Sequence, residues 1–316
     1  MTITQLQYLI AVAEHQNFTI AAEKSFVTQP TLSMQISKLE EELNVKIFDR
    51  GTKPIKLTEV GTKIVEQARK VVIEAERMQD IVSIEKGFIG GPYRLGIIST
   101  VMPTLLPMFL STFVKRYPKV NLIIRELTTD EILTGLREGK LDAAIAATPL
   151  ETSDLIERPL YYEPFVGYLP EGHRLNDKTE LKAEDLNLEE VLLLQDGHCF
   201  RDNILNLCDM NLNNRDKKFT IESGSFETLV QLSDERMGMT LLPYLHTLGL
   251  KENQKKGLKH FEKPEPAREI SLIYSKSELK IQITEALREV ISGIIRGAIS
   301  FQDVQIISPK QKERFR

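Results

Sequence analysis

Cys199 is followed nine positions later by Cys208, and these are the only 2 cysteines in 316 residues. Around the first the order is Asp196, Gly197, His198, Cys199, Phe200, Arg201, Asp202. A cation beside a thiol favours the thiolate, the form that attacks peroxides. His198 and Arg201 supply that charge in sequence, His198 can also hydrogen-bond, and Asp202 can hold Arg201 in place. The pattern after Gly197 is helical, with Asp196 a candidate cap. Cys199 then lies in a first turn, where the helix dipole lowers a thiol pKa further. If 199–208 is helical the two α-carbons are roughly 13 Å apart, beyond the ~7 Å limit for an unstrained disulfide. A bond between them requires the segment to unwind, and two covalent states would then favour two folds of one segment. The chemistry that fits is attack of the Cys199 thiolate on hydrogen peroxide to give a sulfenic acid, condensation with Cys208, and reset by cellular thiol reductants. A plainer reading stays open, with Cys199 a reactive-looking surface residue and Cys208, between Leu207 and Met210, part of a core.

The elements that must position these thiols are of α/β type. From Arg94 onward strands and helices alternate: RLGIIS (94–99), NLIIREL (121–127), DAAIAAT (142–148), EPFVGYLP (163–170), VLLL (191–194), FTIES (219–223), MTLLP (239–243) and REISLIYS (268–275) read as strands. The alternation predicts a largely parallel sheet, and ~200 residues suffice for two small lobes. The tail after Gly297 is polar and reads as flexible.

The first 57 residues are instead dense in short amphipathic helices. Leu6, Leu9, Ile10 and Ala13 share one helix face. Thr19 is expected to cap a second helix running to Phe26. Thr28 is expected to cap a third, with Pro30 in its first turn, ending near Leu43 with Asn44 as a left-handed stop. The segment 46–57 reads as a small hairpin. The pair at 19–43 has the dimensions of a helix-turn-helix, whose second helix begins Thr28, Gln29, Pro30, Thr31, Leu32, Ser33 and would enter a major groove. Those residues, with Gln35 and Lys38 further along, are the candidate base and phosphate contacts. Lys46, Arg50, Lys53 and Lys56 face only Asp49, a local charge of +3 (4 − 1) that suits a wing over the DNA backbone. A three-helix interaction module with a solvated basic loop satisfies the same pattern. Thr58 opens a helix through about Glu85, ~42 Å long. Its stripe of Val60, Ile64, Ala68, Val71, Val72, Ala75, Met78 and Val82 outruns the preceding domain and suits pairing with another chain. GFIGGPY (87–93) reads as a joint.

Bulk properties restrain these readings. The formal charge is −4, so any case for DNA rests on where charges sit rather than on their sum. No segment approaches the ~18 uncharged apolar residues of a membrane helix. The amino terminus does not read as a signal peptide, so a cytoplasmic location is expected. Two cysteines cannot make a structural disulfide framework. The 5 histidines are scattered, with only His198 near a cysteine, so neither a metal site nor a cofactor is expected.

The run AAEKSFVTQPTLSMQISKLEEELNVKIFDR followed by LTEVG resembles the amino-terminal DNA-binding signature of LysR-type transcription regulators, over about 60 continuous residues. The resemblance implies a winged helix-turn-helix (1–58), a linker helix for dimerisation with a hinge (59–90), a regulatory part of two α/β lobes similar to periplasmic binding proteins (91–300), and a tail (301–316). GHCFRDNILNLC resembles the sensor segment of peroxide-responsive members of that family, and TVMPTLLP, GKLDAAI, SFETL and GMTLLP extend the likeness. It implies that Cys199 is the peroxidatic thiol and Cys208 the resolving one, with Thr100 and Thr129 helping to bind peroxide. It also implies double-stranded promoter DNA and RNA polymerase as partners, and a tetramer. Of the other readings, a LysR-type regulator with a metabolite between its lobes needs ligand-facing groups at Ser99, Thr100 and Thr129. A thiol peroxidase leaves the amino-terminal helices without a purpose, and a periplasmic solute-binding protein conflicts with the amino-terminal sequence.

Overall fold

Helix boundaries in the first unit follow from capping chemistry. In the computed structural model, which describes residues 1–85, 89–150, 152–208, 223–299 and 304–309, α1 (Ile3–His15) starts at a Thr2–Gln5 capping box and stops at Gln16 with φ 50°. α2 spans Phe18–Lys24, and its cap is Asn17, whose amide oxygen accepts from Thr19 and Ile20. The expected cap at Thr19 is therefore displaced by two residues, because an Asn ahead of buried Phe18 caps at least as well as a Thr behind it. The helix also ends before Phe26, which takes φ 55° while the Val27 N–H returns to the Ala22 carbonyl. α3 (Gln29–Leu43) has the expected Thr28 cap, Pro30 in its first turn and Asn44 at φ 53°. β1 (Phe48–Asp49) and β2 (Lys56–Leu57) form the hairpin.

α4 (Glu59–Glu85) is 27 residues long. Its apolar stripe has two fates. Ala68 and Val72, with Val65 beside the stripe, close the core formed by α1 to α3, whereas Val60, Met78 and Val82, with Ile81 beside them, stay exposed.

The second compact unit begins at Ile89. It contains β3 (Gly91–Ile98), α5 (Met102–Arg116), β4 (Val120–Leu127), α6 (Thr129–Arg137), β5 (Ala143–Thr148), β6 (Leu155–Tyr168), β7 (Val191–Leu192), α7 (Cys199–Leu207), α8 (Phe226–Asp234), β8 (Met239–Pro243), α9 (Tyr244–Thr247), α10 (Glu252–Lys255), β9 (Leu258–Lys259), β10 (Glu265–Ser275), α11 (Ile281–Ala298) and β11 (Val304–Ile306). The sheet order is β4-β3-β5-β10-β6-β8-β7. β3 is parallel to β4 and β5, and β7 to β8, but β10 is antiparallel to β5 and β6, and β6 to β8. The expectation of a largely parallel sheet is corrected to a mixed one. β6 is 14 residues long, and its first half, LIERPLYY, reads as polar and Pro-broken in sequence.

Two cores result. One gathers Tyr93, Phe109, Phe113, Ile145, Leu272 and Leu287. The other gathers Phe165, Tyr168, Phe200, Phe226, Leu241 and Phe261. FTIES lies outside the described residues except for Ser223, which is in a loop. The tail expected to be flexible contributes β11, parallel to β10. It is held there because an otherwise open strand edge offers backbone partners.

A candidate thiol redox site and DNA-reading helix

Gly197 has φ 89°, a conformation that costs a glycine little, and it turns the chain into α7. The residue at the cap position is His198, without a side-chain cap bond. Asp196, the candidate cap, is instead paired with Arg201 at 2.8 Å. Cys199 is the first residue of α7 and is 7% exposed. Phe200 behind it is fully buried and wedged between Phe165 and Phe226, with ring centroids 5.2 and 5.0 Å away in edge-to-face contacts. Aromatic packing therefore anchors the first turn of α7, which carries the sulfur.

Burial pushes the Cys199 thiol pKa up, and this outweighs the groups that favour the anion. Those groups are the Arg268 charge, the Thr129 hydroxyl and the Ala147 N–H, while Asp202 adds to the rise. The resting sulfur is thus a thiol inside a thiolate-stabilising shell. This corrects the expectation that sequence neighbours lower its pKa. Burial depresses the pKa of His198, offset in part by Glu126, so its ring is neutral at pH 7; its Nδ1 lies 3.0 Å from the Ser99 hydroxyl. Arg201 turns away, to Asp196 and to the Leu194 carbonyl at 2.9 Å.

The cation that acts on the sulfur comes from β10. Arg268 has 0% exposure. Its Nε and Nη2 donate to Glu163 Oε2 at 3.0 and 2.7 Å, Nη1 donates to Thr100 Oγ1 at 2.9 Å, and Nη2 also reaches the Thr100 carbonyl at 3.1 Å. The guanidinium carbon stands 5.0 Å from the Phe200 ring centroid. Glu163 is itself held by the Leu245 N–H at 3.0 Å. A buried ion pair tolerates desolvation only with hydrogen bonds this complete.

Thr100 is buried just beyond β3, its hydroxyl oxygen accepting from Arg268. Thr128 caps α6 by accepting from the Glu131 N–H. That leaves Thr129 free of capping, and its buried hydroxyl makes no geometric hydrogen bond although it stands near enough to the Cys199 sulfur to favour the anion. Beside Ser99 and Thr100 opens a cavity of about 140 Å³, bounded also by Glu126, Gly224, Phe226 and His246. A β-carbon on Gly224 would stand 2.9 Å from His198 Nε2, so only glycine leaves that ring in place.

Cys208 closes α7, its N–H bonded to the Ile204 carbonyl, and is 8% exposed within the second core. No disulfide joins it to Cys199. At ~1.5 Å of rise per residue the α-carbons are about 13 Å apart, so the helix must open before the sulfurs can meet.

At the start of α3, Thr28, Gln29, Pro30 and Thr31 are exposed, as are Lys38 further along and Lys53 on the hairpin. Ser33 and Gln35 are half-buried, and Gln35 accepts from Gln5 at 3.2 Å. Arg50 does not simply project from the wing. It donates to Ser33, Ser37 and Glu40 at 3.4, 3.1 and 3.0 Å and stacks 5.1 Å from the Phe18 ring centroid. Glu40 is buried and also accepts from Ile47 and Phe48, so the pair fastens hairpin to helix.

Residues 3–62 match the family described as bacterial regulatory helix-turn-helix protein, lysR family, and residues 86–293 match the LysR substrate binding domain. The chain belongs to the LysR family. These are DNA-binding transcription regulators, not a family of enzymes. This LysR chain is 36% identical to a hydrogen peroxide-inducible genes activator of Pectobacterium carotovorum subsp. carotovorum, over 93% of its own length and 98% of the relative's. It is also 36% identical to the DNA-binding transcriptional dual regulator OxyR of Escherichia coli strain K12, with 93% and 97% covered. In structure it is similar to a full-length OxyR from Pseudomonas aeruginosa carrying a Cys-to-Asp replacement, with TM-score 0.75, 33% identity, and 92% and 98% of the chains covered. A hydrogen peroxide-bound Cys-to-Ser mutant of Corynebacterium glutamicum OxyR gives TM-score 0.61 at 30% identity, with 94% and 93% covered.

In this LysR chain the structure brings Thr100, Thr129, His198 and Cys199 together, and turns Arg201 to a neighbouring loop. Sequence reasoning missed Arg268, Glu163 and Ala147. A lone Arg within the strand-like run REISLIYS was the signal, since a cation there must be paired if the strand is central. No helix among the described residues is long and apolar enough to cross a membrane.

Proposed function

We propose that the chain is a cytoplasmic transcription regulator that binds double-stranded promoter DNA and senses hydrogen peroxide through Cys199, with Cys208 as the resolving thiol. The observation that carries this is the setting of Cys199: a buried thiol at the start of α7, with Arg268, Thr129 and the Ala147 N–H arranged around its sulfur.

Peroxide is small enough for the space beside Thr100, and its oxygens suit the Thr100 and Thr129 hydroxyls. The Cys199 sulfur attacks one oxygen, the O–O bond breaks, and an S–O bond forms. The departing hydroxide takes the thiol proton and leaves as water. The Cys208 sulfur then attacks the sulfenic sulfur, the S–O bond breaks, an S–S bond forms, and a second water leaves with the Cys208 proton. Two thiols have lost two electrons and two protons to one peroxide. A dithiol reductant reverses the bond. Because Cys208 must leave its core, the oxidised second lobe is repacked, and the exposed half of α4 carries the change through a dimer, itself paired as a tetramer. RNA polymerase is the partner of the active form. Thr28, Gln29, Pro30, Thr31, Ser33, Gln35 and Lys38 address the groove, with Lys53 and the oriented Arg50 on the backbone.

The test is quantification of free thiols and of the 199–208 disulfide after near-stoichiometric peroxide, with promoter binding of wild type and Cys199→Ser alongside. The expected result is one disulfide per chain and an altered DNA footprint, both lost in Cys199→Ser. A Cys199→Ser protein with peroxide-sensitive transcription leaves the reading without its sensor. The cavity at Ser99 and Thr100 also favours a second reading, a small polar metabolite as effector; that regulator would be indifferent to Cys199→Ser.

A further inference from the structure

The end of the chain grips the helix that separates the thiols. β11 runs beside β10 with Glu265 opposite Val304 and Ala267 opposite Ile306. One residue on, the Ile307 N–H donates to the Ala267 carbonyl at 2.8 Å. From this anchored segment two carbonyls meet α7: Asn203 Nδ2 donates to Ile307 O at 2.7 Å, and Asn206 Nδ2 donates to Ser308 O at 2.9 Å. Ile307 packs on the second core, and Pro309 is buried. Asn203 is fully buried and its amide oxygen has no hydrogen-bond partner. An amide kept in a core at that cost is kept for its donor half.

A helix as short as α7 does not persist on propensity, and asparagine is a weak helix former. Outside contacts must hold it. Both asparagines lie in the stretch that has to open before the sulfurs meet. Ala267, to which the tail is tied, directly precedes Arg268, so one segment touches both the switch helix and the strand that supplies the cation.

We propose that residues 304–309 are a strap on α7, with Asn203 and Asn206 as positioning residues. Release of the strap sets how fast the Cys199–Cys208 disulfide closes, and the strap's return favours re-formation of the reduced helix. This rests on the sensing reading above. The step under control is the second one, in which the S–O bond of the Cys199 sulfenic acid is exchanged for S–S and water leaves. The first step, with peroxide, does not require α7 to open and is outside the strap's reach.

The experiment uses the full chain as wild type, Asn206→Ala, Asn206→Asp and Ile307→Pro. Asn206→Asp keeps the size and drops the donor; Ile307→Pro removes the tie to Ala267 without altering α7. Amide hydrogen exchange is followed across 199–208 in the reduced proteins. After one equivalent of peroxide, sulfenic acid and disulfide are trapped and counted separately. Loss of one strap hydrogen bond is expected to speed α7 exchange, and disulfide closing with it, about fivefold, with sulfenic acid forming at the wild-type rate. Folded variants whose α7 exchanges at the wild-type rate overturn the strap, as does faster exchange with closing unchanged. Failure of the sensing reading looks different: wild type forms neither sulfenic acid nor the disulfide while α7 exchange still responds to the variants, and the strap then has no disulfide to control.

Discussion

Cys199 and Cys208 bound a single helix, yet the first belongs to the core around Tyr93 and Phe109 and the second to the core around Phe165 and Phe226. Joining them therefore moves a side chain out of one hydrophobic cluster, besides melting α7. Neither cost falls on the first oxidation step, which needs only the shell about Cys199.

That shell depends on Arg268. Arg268→Gln removes the charge that most favours the thiolate. Each unit of further rise in pKa cuts the thiolate about tenfold at fixed pH, so sulfenic acid formation should slow in proportion. The same change strands Glu163 and costs about 3–5 kcal/mol of stability. Adding Glu163→Gln should recover much of the stability and none of the rate. Stopped-flow peroxide consumption and denaturant melts of both variants check this; a rate restored together with stability would show that Arg268 acts only as a brace.

The pH dependence of oxidation follows from burial. Cys199 is an acid whose pKa lies above the ordinary 9.0, so it is protonated below that value and the reactive fraction grows as pH rises. The oxidation rate should climb from pH 7 through 9 without levelling. A plateau below pH 8 would mean that the thiolate already dominates at neutrality.

Histidines set an acid limit on stability. Burial depresses His198, His246 and His173 below the ordinary 6.5, against the opposing carboxylates Glu126, Glu227 and Glu190. In the unfolded chain these rings take up protons near 6.5, whereas in the fold they do so only at lower pH. Stability linked to them is complete above 6.5 and declines as pH falls through the folded values. Melts at pH 7.5 and 5.5 should give the lower midpoint at 5.5, and His246→Phe should narrow the gap.

DNA contacts should separate by class. Lys53→Ala is expected to reduce the salt slope of promoter binding by about 0.9, uniformly across sequences. Gln29→Ala should leave the slope and relax base preference. Arg50→Ala should weaken binding and also lower stability, because Glu40 loses its cation. Titrations at several salt concentrations distinguish the three.

The far half of α4 offers a solution test. Met78 and Ile81 are 64% and 51% exposed, on the face where the proposed dimer would pair. Met78→Glu with Ile81→Lys should shift the mass in light scattering towards the monomer while circular dichroism stays unchanged.

Local signals made the amino-terminal unit readable. Thr28, Pro30 and Asn44 are where capping rules put them, while the weaker Thr19 cap lost to Asn17 and the second helix stopped short of Phe26. The thiol helix was also legible, because Gly197 and the apolar spacing after it are local. The groups that tune Cys199 were not. Arg268, with its partner Glu163, and Ala147 come to the sulfur only through strand order, and antiparallel pairing of β10 with β5 and β6 has no local signature. The pairing of 304–306 was hidden for the opposite reason: a polar segment looks solvated until the strand edge it completes is known.

β6 runs from Leu155 in the first core to Phe165 in the second, with one irregularity in its pairing to β10 between Pro159 and Tyr161. The ladder of β6 with β10 spans both cores, so opening and shutting the lobes like a clamshell would have to bend it at that irregularity. Opening α7 asks nothing of that ladder, so neighbours in an assembly would read a change of texture rather than of posture.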